Sequence, residues 1–248
     1  MAALLPLADE LDAWAAAGRR ATLWWRDDDA VTNDAPVARM LALAHASRAT
    51  VFVATPPALT QADLARAIAA YPQAVAIQHG FAHESHRVAA GKSELGADRP
   101  LEIVRAEIVE GQTRMTALFG AKALPIMAPP WNRIDDAVAR VLPELGFAAL
   151  SSFEGRRPDA VPGLRMLDGH CDPISWKRGQ SFIGTEEMCR RLARHLSRRR
   201  RGETDMPTCL VTHVWAQDEP AWAGLEAVLR LVADHPAAEW LDAEALLA

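Results

Sequence analysis

The chain has 248 residues, of which half are hydrophobic and about a quarter are charged, with a formal net charge of -5. This length is enough for one large α/β domain with a buried core. The negative charge argues against general binding to nucleic acids or to anionic membranes.

Other global features narrow the class of protein further. Three cysteines without CxxC spacing argue against both a disulfide framework and a thiolate zinc site. No apolar run approaches the length of a transmembrane helix. The apolar stretch at the N-terminus lacks a basic region and contains Pro6 and Asp9, so it is a poor secretory signal. We therefore expect a cytoplasmic protein; the sequence does not indicate an oligomeric state.

Helical apolar spacing alternates with short buried apolar runs along the chain. The predicted helices span 7–18, 37–46, 59–71, 100–118, 135–145, 185–200 and 221–235. The predicted strands span 21–25, 50–54, 74–77, 124–127, 147–151, 165–167, 209–212 and 239–242. This order predicts an α/β fold with parallel strands joined by helices. We expect one domain over 1–248, in which 1–19 form an N-terminal helical extension.

Chemically reactive side chains follow several of these strands. The acidic run Asp27, Asp28 and Asp29 comes directly after the first, and by itself such a run is more often a solvated turn. His79 follows the third strand and His213 a late one. Because the carboxyl ends of parallel strands gather at one edge of the sheet or barrel, we expect these groups to meet there.

His79 and His83 are separated by three residues and would share one face if this segment were helical. Two neutral imidazoles and one carboxylate leave open coordination positions on a divalent metal, as a hydrolytic site requires. Such a pair can also arise by chance in a chain with eight histidines. Imidazole and carboxylate ligands suit zinc, which we favour, as well as iron, cobalt or nickel.

The order of these motifs resembles the polysaccharide deacetylase family, also called the NodB-homology or carbohydrate esterase family 4 group. The resemblance extends from Leu23 to His213 and implies a distorted (β/α) barrel with about seven parallel strands. It makes Asp28 the catalytic base and Asp29 a metal ligand, although a register using Asp27 and Asp28 is possible. His79 and His83 match the second motif as further metal ligands.

The third motif is altered. The sequence from Ala128 to Asn132 contains Pro-Pro-Trp, but the family's arginine is Ala128 here and its closing glycine is Asn132. That arginine holds the catalytic aspartate in the family. Arg26 could replace it, since residues two apart on a strand share a face, and Arg133 is the alternative.

The remaining motifs supply the acid and the pocket. In the fourth motif, Asp172 would orient the catalytic histidine and Trp176 would line the pocket, and in the fifth His213 would be the general acid. Trp131 and Trp215 stand next to motif residues, and we expect them to line a pocket with Asn132. We expect His45, His195 and His235 to lie on the surface, and Arg198–Arg201 to form a solvated helix end.

The resemblance implies a metal-dependent hydrolase that removes an acyl group, most often N-acetyl, from an amino sugar or saccharide. A second hypothesis is hydrolysis of a non-sugar C–N bond, such as that of a cyclic amide, on the same fold. A third is a catalytically idle metal-binding domain, which the missing arginine permits. The expected partner is a saccharide or another small molecule.

Overall fold

The computed structural model of the protein describes residues 2–156 and 160–248, without the side chain of Arg178. The α-helices are α1 (Leu5–Ala16), α2 (Ala35–Ser47), α3 (Ala62–Ala70), α4 (Leu101–Phe119), α5 (Asp136–Val141), α6 (Thr185–Arg200), α7 (Glu219–Asp234) and α8 (Ala243–Leu247). The strands are β1 (Ala21–Asp28), β2 (Val51–Thr55), β3 (Ala74–Gln78), β4 (Ala123–Met127), β5 (Ala149–Leu150), β6 (Arg165–Met166), β7 (Ile174–Ser175), β8 (Ser181–Phe182), β9 (Thr208–Thr212) and β10 (Ala238–Trp240).

The main sheet is parallel and curled into part of a barrel, with helices around it. Its strand order is β10-β1-β2-β3-β4-β5-β6, and β9 pairs with β1. β7 and β8 form a separate antiparallel pair. The predicted distorted (β/α) barrel of about seven parallel strands is therefore confirmed, and β10 adds a short eighth strand that pairs only with the start of β1.

Both faces of the central strands are buried, as expected for a parallel sheet covered by helices. Trp24 and Phe52 point into the barrel, where their rings meet edge-on with centroids 5.4 Å apart. Leu23 and Trp25 point outward into the larger cluster formed with the helices. Leu7, Leu11 and Trp14 of α1 are buried in that same cluster. None of the described helices is long and apolar enough to cross a membrane.

The register of the strands brings their carboxyl ends to the same level. Asp28 pairs with Ala54 in β2, and Thr55 pairs with Gln78 in β3. On the other side of β1, Asp27 pairs with Thr212 at the end of β9. Asp29, His79 and His213 therefore leave the sheet at one edge of the barrel.

The structure differs from the sequence pattern in two places. β1 continues through Arg26, Asp27 and Asp28, three residues beyond the predicted end at Trp25. The segment from His79 to His83 is irregular and not helical, because Gly80 and His83 have φ values of +60° and +56°. Single residues in the left-handed region interrupt a right-handed helix.

Candidate active site

Arg26 and Asp28 form a buried ion pair on the inner face of β1. Nε of Arg26 lies 2.8 Å from Oδ1 of Asp28, and Nη2 donates to Oδ2 at 2.9 Å. Arg26 is fully buried and Asp28 nearly so. Alternation along the strand places both side chains on one face, so the strand itself supplies this bidentate contact.

The rest of the Arg26 guanidinium is also occupied. Nη1 donates to the carbonyl oxygen of Ser151 at 2.9 Å and to its hydroxyl at 2.6 Å, and Nη2 donates to Oδ1 of Asn132 at 2.6 Å. Arg133, the other candidate for this role, instead donates to the carbonyl oxygen of Lys92 at 3.2 Å. Arg26 is therefore the arginine that contacts Asp28.

Asp29, His79 and His83 bring three potential ligand atoms together. Nε2 of each imidazole lies 3.1 Å from Oδ1 of Asp29. One ligand atom from each residue can be chosen so that all three lie within 4.8 Å of one another. This is the one such group of three or more metal-binding side chains found among the described residues.

The hydrogen bonding of His79 fits a metal ligand. Its Nδ1 lies 2.9 Å from the carbonyl oxygen of Ala128, so Nδ1 carries the proton and donates it. In the neutral imidazole Nε2 then presents a lone pair toward Asp29, which is the orientation that a metal needs. Burial would raise the pKa of Asp29, but the hydrogen bonds and charge that the two imidazoles offer when protonated lower that pKa well below its ordinary range. The carboxylate is therefore available as a charged ligand at neutral pH.

Glu94 shapes the loop that carries His83, and sequence analysis did not identify it. Its buried carboxylate accepts hydrogen bonds from the backbone N–H groups of Phe81 at 3.1 Å and Ala82 at 2.7 Å. A Cβ atom on Gly80 would lie 2.0 Å from Oε2 of Glu94 and 2.7 Å from Pro130. Position 80 is a glycine because this backbone approach, at a φ of +60°, leaves no room for a side chain. Gly80 was the one feature of the sequence that could have indicated this close contact.

His213 faces the other side of Asp28. Its Nε2 lies 3.9 Å from Oδ2 of Asp28, and its Nδ1 lies 3.5 Å from Oδ2 of Asp172. Asp172 also accepts from Nε1 of Trp176 at 2.7 Å and from the backbone N–H of Ile174 at 2.8 Å. Burial raises the pKa of Asp172, and the neighbouring His213 partly offsets this. The predicted acid and its orienting carboxylate thus lie together.

Asp27 points away from this group. Its Oδ2 accepts from the hydroxyl of Thr212 at 2.6 Å and from the backbone N–H of Val214 at 3.1 Å. Burial raises the pKa of Asp27 well above its ordinary value. The structure therefore brings Asp28 and Asp29 to the site, while Asp27 holds the residues on both sides of His213, Thr212 by its hydroxyl and Val214 by its backbone N–H.

The turn of the third motif is held in a strained conformation. Trp131 and Asn132 have φ values of +55° and +54°, which residues other than glycine seldom adopt. The side chain of Asn132 accepts from Arg26, and the Trp131 ring lies 4.4 Å from the His83 ring. The turn thus contacts both the ion pair and the histidine group.

Tryptophan rings form the rim of the site. Trp176 and Trp215 are 45% and 49% exposed, and their ring centroids are 5.7 Å apart. Trp176 also meets the His213 ring edge-on at 4.8 Å. Nε1 of Trp215 donates to Oδ2 of Asp29 at 3.3 Å, a contact that the sequence did not reveal. Exposed rings beside ionised groups provide a surface on which the apolar face of a sugar can stack.

Solved structures with the same fold have low sequence identity to this chain. A probable polysaccharide deacetylase from Pseudomonas aeruginosa PAO1 matches with a TM-score of 0.69 and 14% identity, over 94% of this chain and 91% of that one. Puue allantoinase matches with a TM-score of 0.67 and 13% identity, over 92% and 89%. A family 4 carbohydrate esterase from Streptomyces lividans, in complex with acetate, matches with a TM-score of 0.52 and 11% identity, over 88% and 86%.

No protein-family model matches the chain, and neither does any curated protein sequence. The structural likeness shows that the chain has the NodB-like fold of the polysaccharide deacetylases. At these identities the likeness establishes the fold and leaves activity to be argued from the site.

Proposed function

We propose that the protein is a metal-dependent hydrolase that removes an acyl group, N-acetyl in the first instance, from an amino sugar or saccharide. One observation carries this proposal: a carboxylate, a candidate metal-ligand group and a histidine lie next to one another at the barrel edge. Asp28 lies between the group of Asp29, His79 and His83 on one side and His213 on the other. Exposed tryptophans border these residues.

Asp29, His79 and His83 would hold the metal. A divalent ion bound there supplies a Lewis acid for the amide carbonyl and lowers the pKa of a water molecule. The ligand set of two imidazoles and one carboxylate favours zinc, with iron, cobalt or nickel also compatible.

Asp28 acts as the general base in this proposal. It takes a proton from the attacking water as the C–O bond forms, and Arg26 holds its carboxylate in position through two contacts. The backbone N–H of Trp131 would donate a hydrogen bond to the carbonyl oxygen of the substrate as it becomes an oxyanion. By holding Asp28, Arg26 has the role that the resemblance gives to the arginine replaced here by Ala128.

His213 acts as the general acid. It gives a proton to the departing amine as the C–N bond breaks, so one water is consumed and a carboxylate and an amine are released. Asp172, whose Oδ2 lies 3.5 Å from Nδ1, orients the imidazole for this step. The whole chain, 1–248, would form this one catalytic domain.

Hydrolysis of a non-sugar C–N bond is the second candidate. The altered third motif favours it, since Ala128 and Asn132 change the turn beside the reacting group. The fold similarity to an allantoinase is compatible with this candidate. An idle metal-binding domain would have the same ligand group without turnover.

Acetate release tests these functions directly. We expect the metal-loaded protein to release acetate from N-acetylglucosamine oligomers, and Asp28→Asn to slow this by about 10²–10⁴-fold because the general base is lost. Asp234→Asn is the control, since its side chain is 76% exposed on α7.

The other outcomes separate the hypotheses. Ring opening of cyclic amides without acetate release would support the second candidate. Metal binding with no turnover of either substrate class would support the idle domain. An acetate release rate that Asp28→Asn leaves unchanged would overturn the proposed mechanism.

A further inference from the structure

A cavity lies beside the third-motif turn. It has a volume of about 540 Å³ and is bordered by the segment from Arg87 to Asp98, by Arg133–Asp135 and by Arg156. The walls are joined by backbone contacts: Leu95 and Ile134 form a parallel bridge, and the N–H of Asp135 donates to the carbonyl oxygen of Leu95 at 2.8 Å. The cavity is thus built from segments that pack on one another.

Three arginines, Arg87, Arg133 and Arg156, border this cavity. Arg133 donates to the carbonyl oxygen of Lys92 at 3.2 Å, and Arg156 to that of Trp131 at 3.1 Å. A carbonyl oxygen fixes a guanidinium without neutralising its charge, and leaves most of its N–H donors available. Within the part of the chain that the structure describes, no carboxylate is ion-paired with these arginines.

The two aspartates at the cavity face backbone N–H groups, and neither is ion-paired with a described arginine of the cavity. Oδ1 of Asp135 accepts from the N–H of Ala137 at 2.9 Å and caps α5. Oδ1 of Asp98 lies 3.5 Å from the N–H of Val88. Lys92 adds another positive charge close by, with its Nζ 5.5 Å from the Trp131 ring centroid. The local charge is therefore positive in a chain whose net charge is -5.

The loop is shaped around Arg133. Gly91 has a φ of +96°, and a Cβ atom on it would lie 2.2 Å from Nη1 of Arg133. The backbone therefore passes close to the guanidinium, and the φ of Gly91 is one that residues with a side chain rarely adopt. Arg133 is held in place and half-buried, in contrast to a freely rotating surface arginine.

One residue connects this cavity with the candidate active site. The Trp131 carbonyl accepts from Arg156 at the cavity, and the Trp131 ring lies 4.4 Å from the His83 ring at the site. Arg133 directly follows Asn132, which accepts from Arg26. A substrate whose amide lies at Asp28 can therefore extend past Trp131 toward the arginines.

We propose that this cavity binds an acidic group of the substrate, a carboxylate or a phosphate, with Arg133 as the main contact and Arg87 and Arg156 around it. The substrate class is then an acidic N-acylated saccharide. The inference rests on the proposed function and deepens it. Guanidinium groups bind carboxylates and phosphates through paired, charge-assisted hydrogen bonds, which a neutral saccharide cannot offer.

Matched substrates test this specificity. The kinetics of acetate release would be compared for a neutral N-acetylglucosamine oligomer, the same oligomer carrying a uronate carboxylate, and one carrying a phosphate. We expect kcat/KM to be about tenfold or more higher for an acidic oligomer, mainly through a lower KM. Comparison of the two acidic oligomers identifies which group is preferred. The preference should shrink as salt concentration rises.

Arg133→Gln should reduce the ratio of acidic to neutral kcat/KM to near one. Arg140→Gln is the control, because this arginine is 66% exposed on α5 and lies outside the cavity. Equal kcat/KM for acidic and neutral oligomers in the wild type would overturn the inference. So would a preference that survives in Arg133→Gln.

Binding measurements separate this inference from the proposed function. If no oligomer releases acetate, the proposed function fails, and calorimetric titration of the acidic and neutral oligomers still tests the cavity. Tighter binding of the acidic oligomer to the wild type, lost in Arg133→Gln and kept in Arg140→Gln, would support an anion site. Equal binding of both oligomers would overturn it.

Discussion

At the level of single residues, the pair of Arg26 and Asp28 is the contact on which the site depends most. Both side chains are buried, and each is the main charged partner of the other. A buried ion pair adds little stability compared with an apolar pair, but loss of one partner leaves an uncompensated charge. The pair therefore links the geometry of the proposed base to the stability of β1.

A double-mutant cycle measures this coupling. Arg26→Met should lower the free energy of unfolding by about 3–5 kcal/mol, because Asp28 would stay buried without its cation. Arg26→Met combined with Asp28→Asn should be more stable than the sum of the two single changes predicts. Urea unfolding of the four proteins gives the coupling energy, and strictly additive losses would contradict the account.

Gly80 offers a second prediction at the residue scale. Gly80→Ala should destabilise the protein and weaken metal binding, since its Cβ would lie 2.0 Å from Oε2 of Glu94 and displace the loop of His83. Gly18→Ala is the matched control, with a similar φ of +63° and nothing within 4 Å of the added Cβ. The control should lose only the cost of a positive φ, about 1 kcal/mol.

Thermal unfolding and zinc titration of both glycine variants provide the measurement. Equal losses of stability and of zinc affinity in the two would show that the contact with Glu94 does not position the loop.

The sequence indicated which residues gather at the site, but not all of the contacts that hold them there. The order of motifs predicted which side chains meet at the barrel edge, from Arg26 to His213. It could not show that Glu94 holds the loop of His83, or that Nε1 of Trp215 reaches Asp29, since these contacts depend on irregular backbone. The choice between Arg26 and Arg133 also needed the three-dimensional path of the third-motif turn.

At the level of elements, β1 is longer than its apolar residues indicate. The acidic run by itself looks like a solvated turn, yet Arg26, Asp27 and Asp28 continue the strand and are buried. Arg26 and Asp28 pair with each other, and further hydrogen bonds come from Thr212 on β9, from Asn132 on the third-motif turn and from Ser151. Because these partners are distant in sequence, the pattern of β1 alone could not predict the burial.

The prediction for α6 was wrong in the same direction. His195 and Arg199 were expected on the surface, but both are buried, and Arg199 donates to the carbonyl oxygen and hydroxyl of Thr22 at 2.6 Å each. They share one helix face with the buried Leu192 and Leu196. This i, i+3, i+4, i+7 spacing was readable from the sequence, and the run of arginines obscured it.

The buried His195 predicts how stability depends on pH. Burial, with Arg199 and Arg198 nearby, lowers its pKa from 6.5 to about 3. Between these values the unfolded chain binds a proton that the folded chain does not, so this residue makes stability fall as the pH falls. At pH 5 we expect His195 to lower the free energy of unfolding by about 1–2 kcal/mol relative to neutral pH.

Urea unfolding at pH 7.5 and pH 5 tests this, with His195→Gln compared to His45→Gln on the exposed side of α2. The wild type and His45→Gln should lose more stability between the two pH values than His195→Gln does. The same loss in all three proteins would contradict the pKa shift of His195.

At the level of the whole molecule, alternation of helices and strands predicted the fold because each parallel crossover needs a helix. The two-residue strands β5 to β8 were poorly defined in the sequence, and the β7–β8 pair was not predicted. Such short strands carry too little periodicity to be recognised. The barrel nevertheless brings distant strand ends to one edge, and that arrangement is what gathers the candidate site.

The most direct test of the central claim is the metal content per chain, measured by elemental mass spectrometry after reconstitution with zinc, iron, cobalt or nickel. The wild type and the surface variant His45→Asn should bind about one divalent ion, and His83→Asn should lose most of it. Asn tolerates the positive φ at this position, so the change removes the imidazole and spares the backbone. Near-zero metal in all three proteins, or equal content in all three, would contradict a metal site at Asp29, His79 and His83.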